Sequence, residues 1–240
     1  MRGLILALGF LTRLPLPALR DFRAEALARA IVWFPVAGLF VGAAVAGTTV
    51  AAGQFDPWLG ALAGLIVWVW ITGGLHLDGL ADSADALGAA HRDPARFLAV
   101  LADPHLGSFG VIALVLQLIA KLILLKLALQ HALAWPVLLL IPAWARWAAA
   151  GWTLWLPSLK PGLGEQFAWN GNRGGWVLGG VALGATAYWQ PVAALALLPA
   201  AAYGLWLKIK LGGQTGDLLG AGIEIVESLS LLLALAVMLR

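Results

Sequence analysis

Long apolar runs, each almost free of charge, recur along this chain, and they constrain its fold more than any other feature. A helix needs roughly 20 mostly apolar residues to cross the hydrocarbon of a bilayer. Such runs lie at about 30–53, 58–75, 109–129, 133–152, 175–188, 192–207 and 223–239. The fifth and sixth are short and separated only by Gln190 and Pro191, which predicts a tight hairpin. Charged residues make up only 11% of the 240 positions and hydrophobic ones 62%. Soluble domains carry about 25% charged residues, so this chain could not cover a water-exposed surface of its size. Soluble enzyme domains, disordered chains and nucleic-acid binders are thereby excluded. The absence of cysteine removes disulfide scaffolds, thiolate metal sites and cysteine nucleophiles. Thirteen tryptophans suit a protein with interfacial aromatic anchors. The expected fold is an all-α, polytopic membrane helix bundle of about seven transmembrane helices, forming one domain over residues 1–240.

The first eleven residues hold a short apolar run without a small-x-small cleavage site, and Arg13, Pro15 and Pro17 interrupt it. This predicts an amphipathic segment at the interface, followed by the basic stretch of Arg20, Arg23 and Arg29. The remaining basic residues sort by side. Arg92 and Arg96 follow the second run, Lys160 and Arg173 the fourth, and Lys208 and Lys210 the sixth. The connections at 54–57, 130–131 and 190–191 hold none. With an odd number of spans, the positive-inside rule places all the basic segments on the cytoplasmic side. The pairs Gly38/Gly42, Gly60/Gly64 and Gly180/Gly184 suit close helix contact in lipid.

Against so few charges, the acids stand out. Asp78, Asp82, Asp85, Asp93 and Asp103 fall in one stretch, and the first three occupy i, i+4 and i+7, one face of a helix. Like charges so placed repel, and a divalent cation converts that repulsion into binding because carboxylates are hard oxygen ligands. The plainer alternative is a solvated acidic face, but acids directly after an apolar span are expensive and point to function. Gly73 and Gly74 break the preceding span, and Gly79 permits close approach of another backbone or a phosphate. A second cluster joins Gly216, Asp217, Gly220, Glu224 and Glu227 at the start of the last run. Its alternative reading is a turn followed by a helix with acids in the first turn, where the dipole favours them.

Arg92 and Arg96, one turn apart, suit a phosphate clamp as well as membrane anchoring. Arg146 lies inside an apolar run, where an arginine snorkels or pairs with an acid or phosphate. His76 and His105 each neighbour an acid. No nucleophile elbow, zincin, P-loop or dinucleotide fingerprint occurs. Acids for a metal, bases for phosphate, a membrane surface and no nucleophile motif together point to phosphoryl-group transfer.

These residues resemble the cobalamin synthase family, the adenosylcobinamide-GDP ribazoletransferases of the last steps of vitamin B12 assembly. The resemblance lies in Phe10-Leu-Thr-Arg-Leu-Pro-Leu-Pro17, Gly73-Gly-Leu-His-Leu-Asp-Gly-Leu-Ala-Asp-Ser-Ala-Asp85, Asp103-Pro-His-Leu-Gly-Ser-Phe-Gly110 and Gly213-Gln-Thr-Gly-Asp-Leu-Leu-Gly-Ala221, with Glu224 and Glu227. It implies a multi-pass enzyme of the cytoplasmic (inner) membrane, with its site facing the cytoplasm. Such an enzyme joins adenosylcobinamide-GDP to α-ribazole or its 5′-phosphate, releases GMP and requires Mg²⁺. On this reading Asp78, Asp82, Asp85 and Asp217 are the expected Mg²⁺ ligands, and Asp82, Asp103 and Glu224 the expected catalytic acids. Arg92, Arg96, Arg146, Arg173, His76 and Gly216 are the expected substrate and phosphate contacts. Expected partners are the two substrates, the lipid membrane, and a second copy or other late corrinoid-pathway enzymes; no nucleic acid is expected.

Two other readings compete with this one, besides a non-catalytic membrane partner. A CDP-alcohol phosphotransferase also uses spaced aspartates on membrane helices, but its pattern places Arg where Asp82 stands here. A cation-coupled transporter predicts acids near the bilayer midplane of several spans, whereas these gather at one end.

Overall fold

The computed structural model describes residues 2–17, 24–90, 93–162, 165–166 and 172–239. Arg20, Arg23 and Arg92 lie outside the described residues. The described chain is helical throughout, with a single isolated bridge between Ser158 and Gln214 in place of any strand. Helix α1 (Arg2–Leu11) packs Ala7, Leu8 and Leu11 against Ile31, Phe34 and Ala150. The predicted interfacial segment is therefore docked on the bundle. Helix α2 (Ala24–Ala30) and a 3₁₀ turn (Ile31–Trp33) lead into α3 (Phe34–Gly53).

Helix α4 (Pro57–Thr72) starts from Asp56, whose side chain accepts from the amides of Trp58 and Leu59, with proline in the first turn. Gly73 and Gly74 end it at φ +62° and +72°, a left-handed conformation in which a side chain is strained. The chain then turns by 85° into α5 (Leu75–Ala90), which lies across the end of the bundle instead of continuing the span. The short α6 (Pro94–Val100) precedes α7 (Ser108–Gln130) and α8 (Trp135–Trp155). After α8 come α9 (Arg173–Thr186), a 3₁₀ stretch (Pro191–Ala196), α10 (Leu197–Trp206) and a π-helical turn (Leu207–Leu211). The last helix is α11 (Gly216–Met238).

Helix α8 is the axis of the molecule, buried along nearly its whole length. A Cβ on Gly38 would come within 2.5 Å of the Pro142 carbonyl, and one on Gly42 would collide with the backbone of Leu139, so α3 and α8 touch backbone to backbone. Between α4 and α3, Gly60 meets the Gly53 backbone in the same way, and Gly64 makes room for the Thr49 side chain. Lipid offers helices no hydrophobic drive to associate, so such small-residue contacts must supply packing instead. Helix α7 turns Phe109, Ile112, Leu116, Ile119 and Ile123 outward at alternating spacings of three and four, an exposed apolar stripe suited to acyl chains.

Among the described residues five segments are long and apolar enough to cross a membrane, or six where α4 and its bent continuation are counted together as one. The fifth predicted run, α9, is only 14 residues long, roughly 21 Å at about 1.5 Å per residue, short of a full crossing. It nevertheless runs antiparallel to α8. Trp147 and Trp176 stack at 4.6 Å and each indole N–H donates to the other's carbonyl at 3.0 Å, while Leu183 packs beside Leu140. It therefore returns the chain towards the opposite end, which keeps the basic segments of the described chain at one end.

Candidate active site

The end of the bundle where α4 stops, α7 and α11 begin and α8 finishes carries the clustered acids. Helix α5 lies directly on the start of α11, because Gly79 and Gly220 leave no side chain between them. A Cβ on Gly79 would reach 2.6 Å from the Asp217 carbonyl, and one on Gly220 would lie 3.3 Å from the Cα of His76. That contact brings Asp217 opposite Asp78 and Asp82, across 135 or more residues of chain. Burial, then the charges of Asp78 and Asp217, push the Asp82 carboxyl up to about 6. Lys160 partly offsets this: its ammonium pairs with Asp217 at 2.8 Å and donates to the Leu101 carbonyl at 3.1 Å. Two hydrogen bonds, Leu159 N–H to the Gln214 carbonyl and Gln214 N–H to the Pro157 carbonyl, hold the Lys160 loop beside α11.

Two cavities meet at these acids. One, about 130 Å³, is mostly apolar and lies among α1, α3, α5, α8 and α11, walled by Phe10, Phe34, Leu219 and Ile223, with His76 in its lining. The other, about 710 Å³, is more polar and carries Arg13, Asp78 and Asp82. Phe10, Leu75 and Asp78 line both, and Gly216 and Asp217 border the apolar one. Three carboxylates that repel one another beside a polar cavity have the donor chemistry of a hard divalent cation. As the side chains stand, no three His, Asp or Glu groups among the described residues converge to ligand distance.

A profile of the cobalamin-5-phosphate synthase family matches residues 3–236. The chain belongs to that family. Relatives named adenosylcobinamide-GDP ribazoletransferase include one from Thiobacillus denitrificans, 71% identical over 98% of this chain and 95% of its own. Others come from Laribacter hongkongensis, 54% identical over 98% and 96%, and Novosphingobium aromaticivorans, 51% identical over 99% and 97%. No solved structure matches.

The remaining expected site residues of this cobalamin-5-phosphate synthase relative are placed elsewhere. Asp85, on the same helix face as Asp78, turns both oxygens to backbone, accepting from the amides of Gly107 and Gly110 at 2.8 Å each. It thereby caps α7 from outside, and a Cβ on either glycine would strike its carboxylate. Replacing Asp85 by Ala is expected to cost about 2–3 kcal/mol by orphaning one buried and one part-buried amide at a helix N-terminus. Thermal unfolding followed by tryptophan fluorescence checks this, and Asp85→Asn, which still accepts, should lose less than half as much.

Asp103 and His105 pair at 2.6 Å on the surface, and the ring holds the Asp103 carboxyl below the usual carboxylate range, which weakens it as a base. Glu224 and Arg146 are sealed inside. Lys121 bridges Glu224 at 2.8 Å and Glu227 at 2.6 Å, and Arg146 meets Glu227 at 2.5 Å. Gln117 donates to Glu224 at 2.8 Å, and Lys121 also sits 4.1 Å above the Trp68 ring. Arg146 reaches His76 Nδ1 at 3.4 Å. Arginine has no acceptor, so that nitrogen accepts and the His76 proton sits on Nε2, which has no partner among the described residues. Arg96 is exposed on α6, and Arg173 lies 4.5 Å over Trp155, away from the carboxylates. Lys160, Lys121 and Gln117 at or beneath the site are not among the residues that the sequence singles out for it. Lys160 reads in sequence only as a topology charge, and Gln117 as an isolated polar residue in an apolar run.

Proposed function

We propose that this chain is an adenosylcobinamide-GDP ribazoletransferase of the inner membrane, with its site facing the cytoplasm. The observation that carries this is the position of Asp78, between a polar cavity and an apolar one, with Asp82 and Asp217 beside it. The names of the relatives support the substrate pair. The sidedness rests on Arg13, Arg29, Arg96, Lys160, Arg173, Lys208 and Lys210, all at the end of the bundle that holds the acids.

On this reading, the ribose hydroxyl of α-ribazole, or of its 5′-phosphate, attacks the cobinamide-bearing phosphorus. A new O–P bond forms, the bridging P–O bond breaks, GMP leaves, and the hydroxyl proton passes to water or to a site carboxylate. Asp78, Asp82 and Asp217 would hold Mg²⁺, which when bound neutralises charge on the diphosphate. The chain itself positions the reactants. Helix α5 presents the carboxylates at the seam of the two cavities, Lys160 orients Asp217, and Phe10 and Leu75 keep the apolar side dry. A loose phosphoryl transition state asks little of a base, so burial of Glu224 in ion pairs is compatible with the chemistry.

The test uses purified protein in nanodiscs with both substrates. GMP and the condensed corrinoid are expected in equal amounts, turnover should stop with EDTA, and Mg²⁺ should restore it. GMP without condensed corrinoid, or no product at all, overturns the reading. Turnover that persists in EDTA removes the metal from it.

A further inference from the structure

We infer that Arg13 forms an anion-binding fork for the diphosphate of the activated donor, on the wall of the polar cavity that also carries Asp78 and Asp82. This rests on the transferase reading above and names a residue to which that reading gave no part in the chemistry. The backbone is laid out to place this side chain. Helix α1 stops at Leu11, Thr12 bonds back to the Leu8 carbonyl at 2.6 Å, and the Arg13 amide donates to the Ile71 carbonyl at 2.7 Å. The end of α1 is thereby fixed to the end of α4. Gly73 then serves two purposes. Its left-handed φ makes the bend into α5, and its missing Cβ leaves room for Arg13, whose Nε would collide with a side chain there and whose Cγ would lie 2.9 Å from it.

The guanidinium so placed has no acceptor among the described residues. The other cations near the acids are engaged: Lys121 with two glutamates, Arg146 with Glu227, and Lys160 with Asp217. Arg13 instead borders the cavity of about 710 Å³. A planar fork of donors matches two phosphate oxygens at once, which an ammonium cannot do. A diphosphate in that cavity would have carboxylates on one side of it and the fork on another. The fork would also meet the extra negative charge that appears on departing GMP. The headgroup phosphate of a lipid offers the same chemistry at this membrane edge, so the experiment separates the two sources.

Binding of adenosylcobinamide-GDP alone, without acceptor, is measured by calorimetry in nanodiscs of neutral phosphatidylcholine and in discs containing phosphatidylglycerol. The KM for α-ribazole is measured in parallel. Arg13→Ala is expected to weaken donor binding about 10- to 100-fold in both lipids, with the α-ribazole KM unchanged. Arg13→Lys, which keeps the charge and the packing on Gly73, should recover only part of the loss, and Gly73→Ala should resemble Arg13→Ala. Unchanged donor affinity in Arg13→Ala, alongside normal turnover of the unsubstituted protein, overturns the role of Arg13. A loss confined to one lipid assigns the fork to a headgroup and overturns it as well. If the unsubstituted protein binds no donor, the transferase reading itself fails.

Discussion

Asp82→Asn is expected to lower turnover by about a thousandfold or more while leaving the protein as stable as before, or slightly more so. The two effects have one cause. Asp82 is half-buried, one turn along α5 from Asp78 and opposite Asp217; burial first, and then both neighbours, push its carboxyl up to about 6. Asn keeps the shape and removes the charge, so the repulsion that opposes packing of α5 on α11 falls. On the proposed mechanism the same charge is what holds Mg²⁺ against the donor. Its loss withdraws several kcal/mol of transition-state stabilisation, and about 1.4 kcal/mol is tenfold in rate. Initial rates of GMP release and the unfolding midpoint, measured on one preparation, check both halves. Retained activity removes Asp82 from the metal set. Lost activity with a lowered midpoint would instead make it a structural carboxylate like Asp85.

Asp78, Asp82 and Asp85 illustrate how far the sequence could be read. Their spacing correctly puts them on one helix face, and Gly73 and Gly74 correctly end the span before them. What that face meets changes along its length. Its first turns look into the cavities and at Asp217, and its third turn meets the N-terminus of α7, whose amides take Asp85. Periodicity defines a face but not its neighbours. Arg146 makes the same point, because pairing with an acid was one of the options open to a buried arginine, but Glu227 lies 81 residues away. Lys160 finds Asp217 only because the loop after α8 is bonded to the turn before α11. The span count blurred at α9 for a different reason: its 14 residues form an apolar helix too short for a full crossing, packed on α8 with only Leu183 buried.

The second large effect concerns the charges sealed beneath the site. Lys121, Arg146, Glu224 and Glu227 are buried together, two of each sign, and each has an opposite partner within 2.8 Å. Glu227 is the hinge of the group, since one oxygen meets Lys121 and the other Arg146. Glu227→Ala leaves Arg146 with only the Pro142 carbonyl and His76, and leaves an excess positive charge in an apolar bundle. Removing one partner of a buried pair costs about 3–5 kcal/mol, a large part of the about 5–15 kcal/mol that holds a typical domain together. Replacing both Arg146 and Glu227 by Met removes one charge of each sign, leaves Lys121 with Glu224, and fills most of the vacated volume. The double variant is therefore expected to be more stable than either single one, by about 2 kcal/mol or more. Equilibrium unfolding of the four proteins in one detergent gives the coupling directly. If the single changes cost little and simply add, the charges are solvated by water entering from the site, and α5 does not rest on a sealed ionic floor.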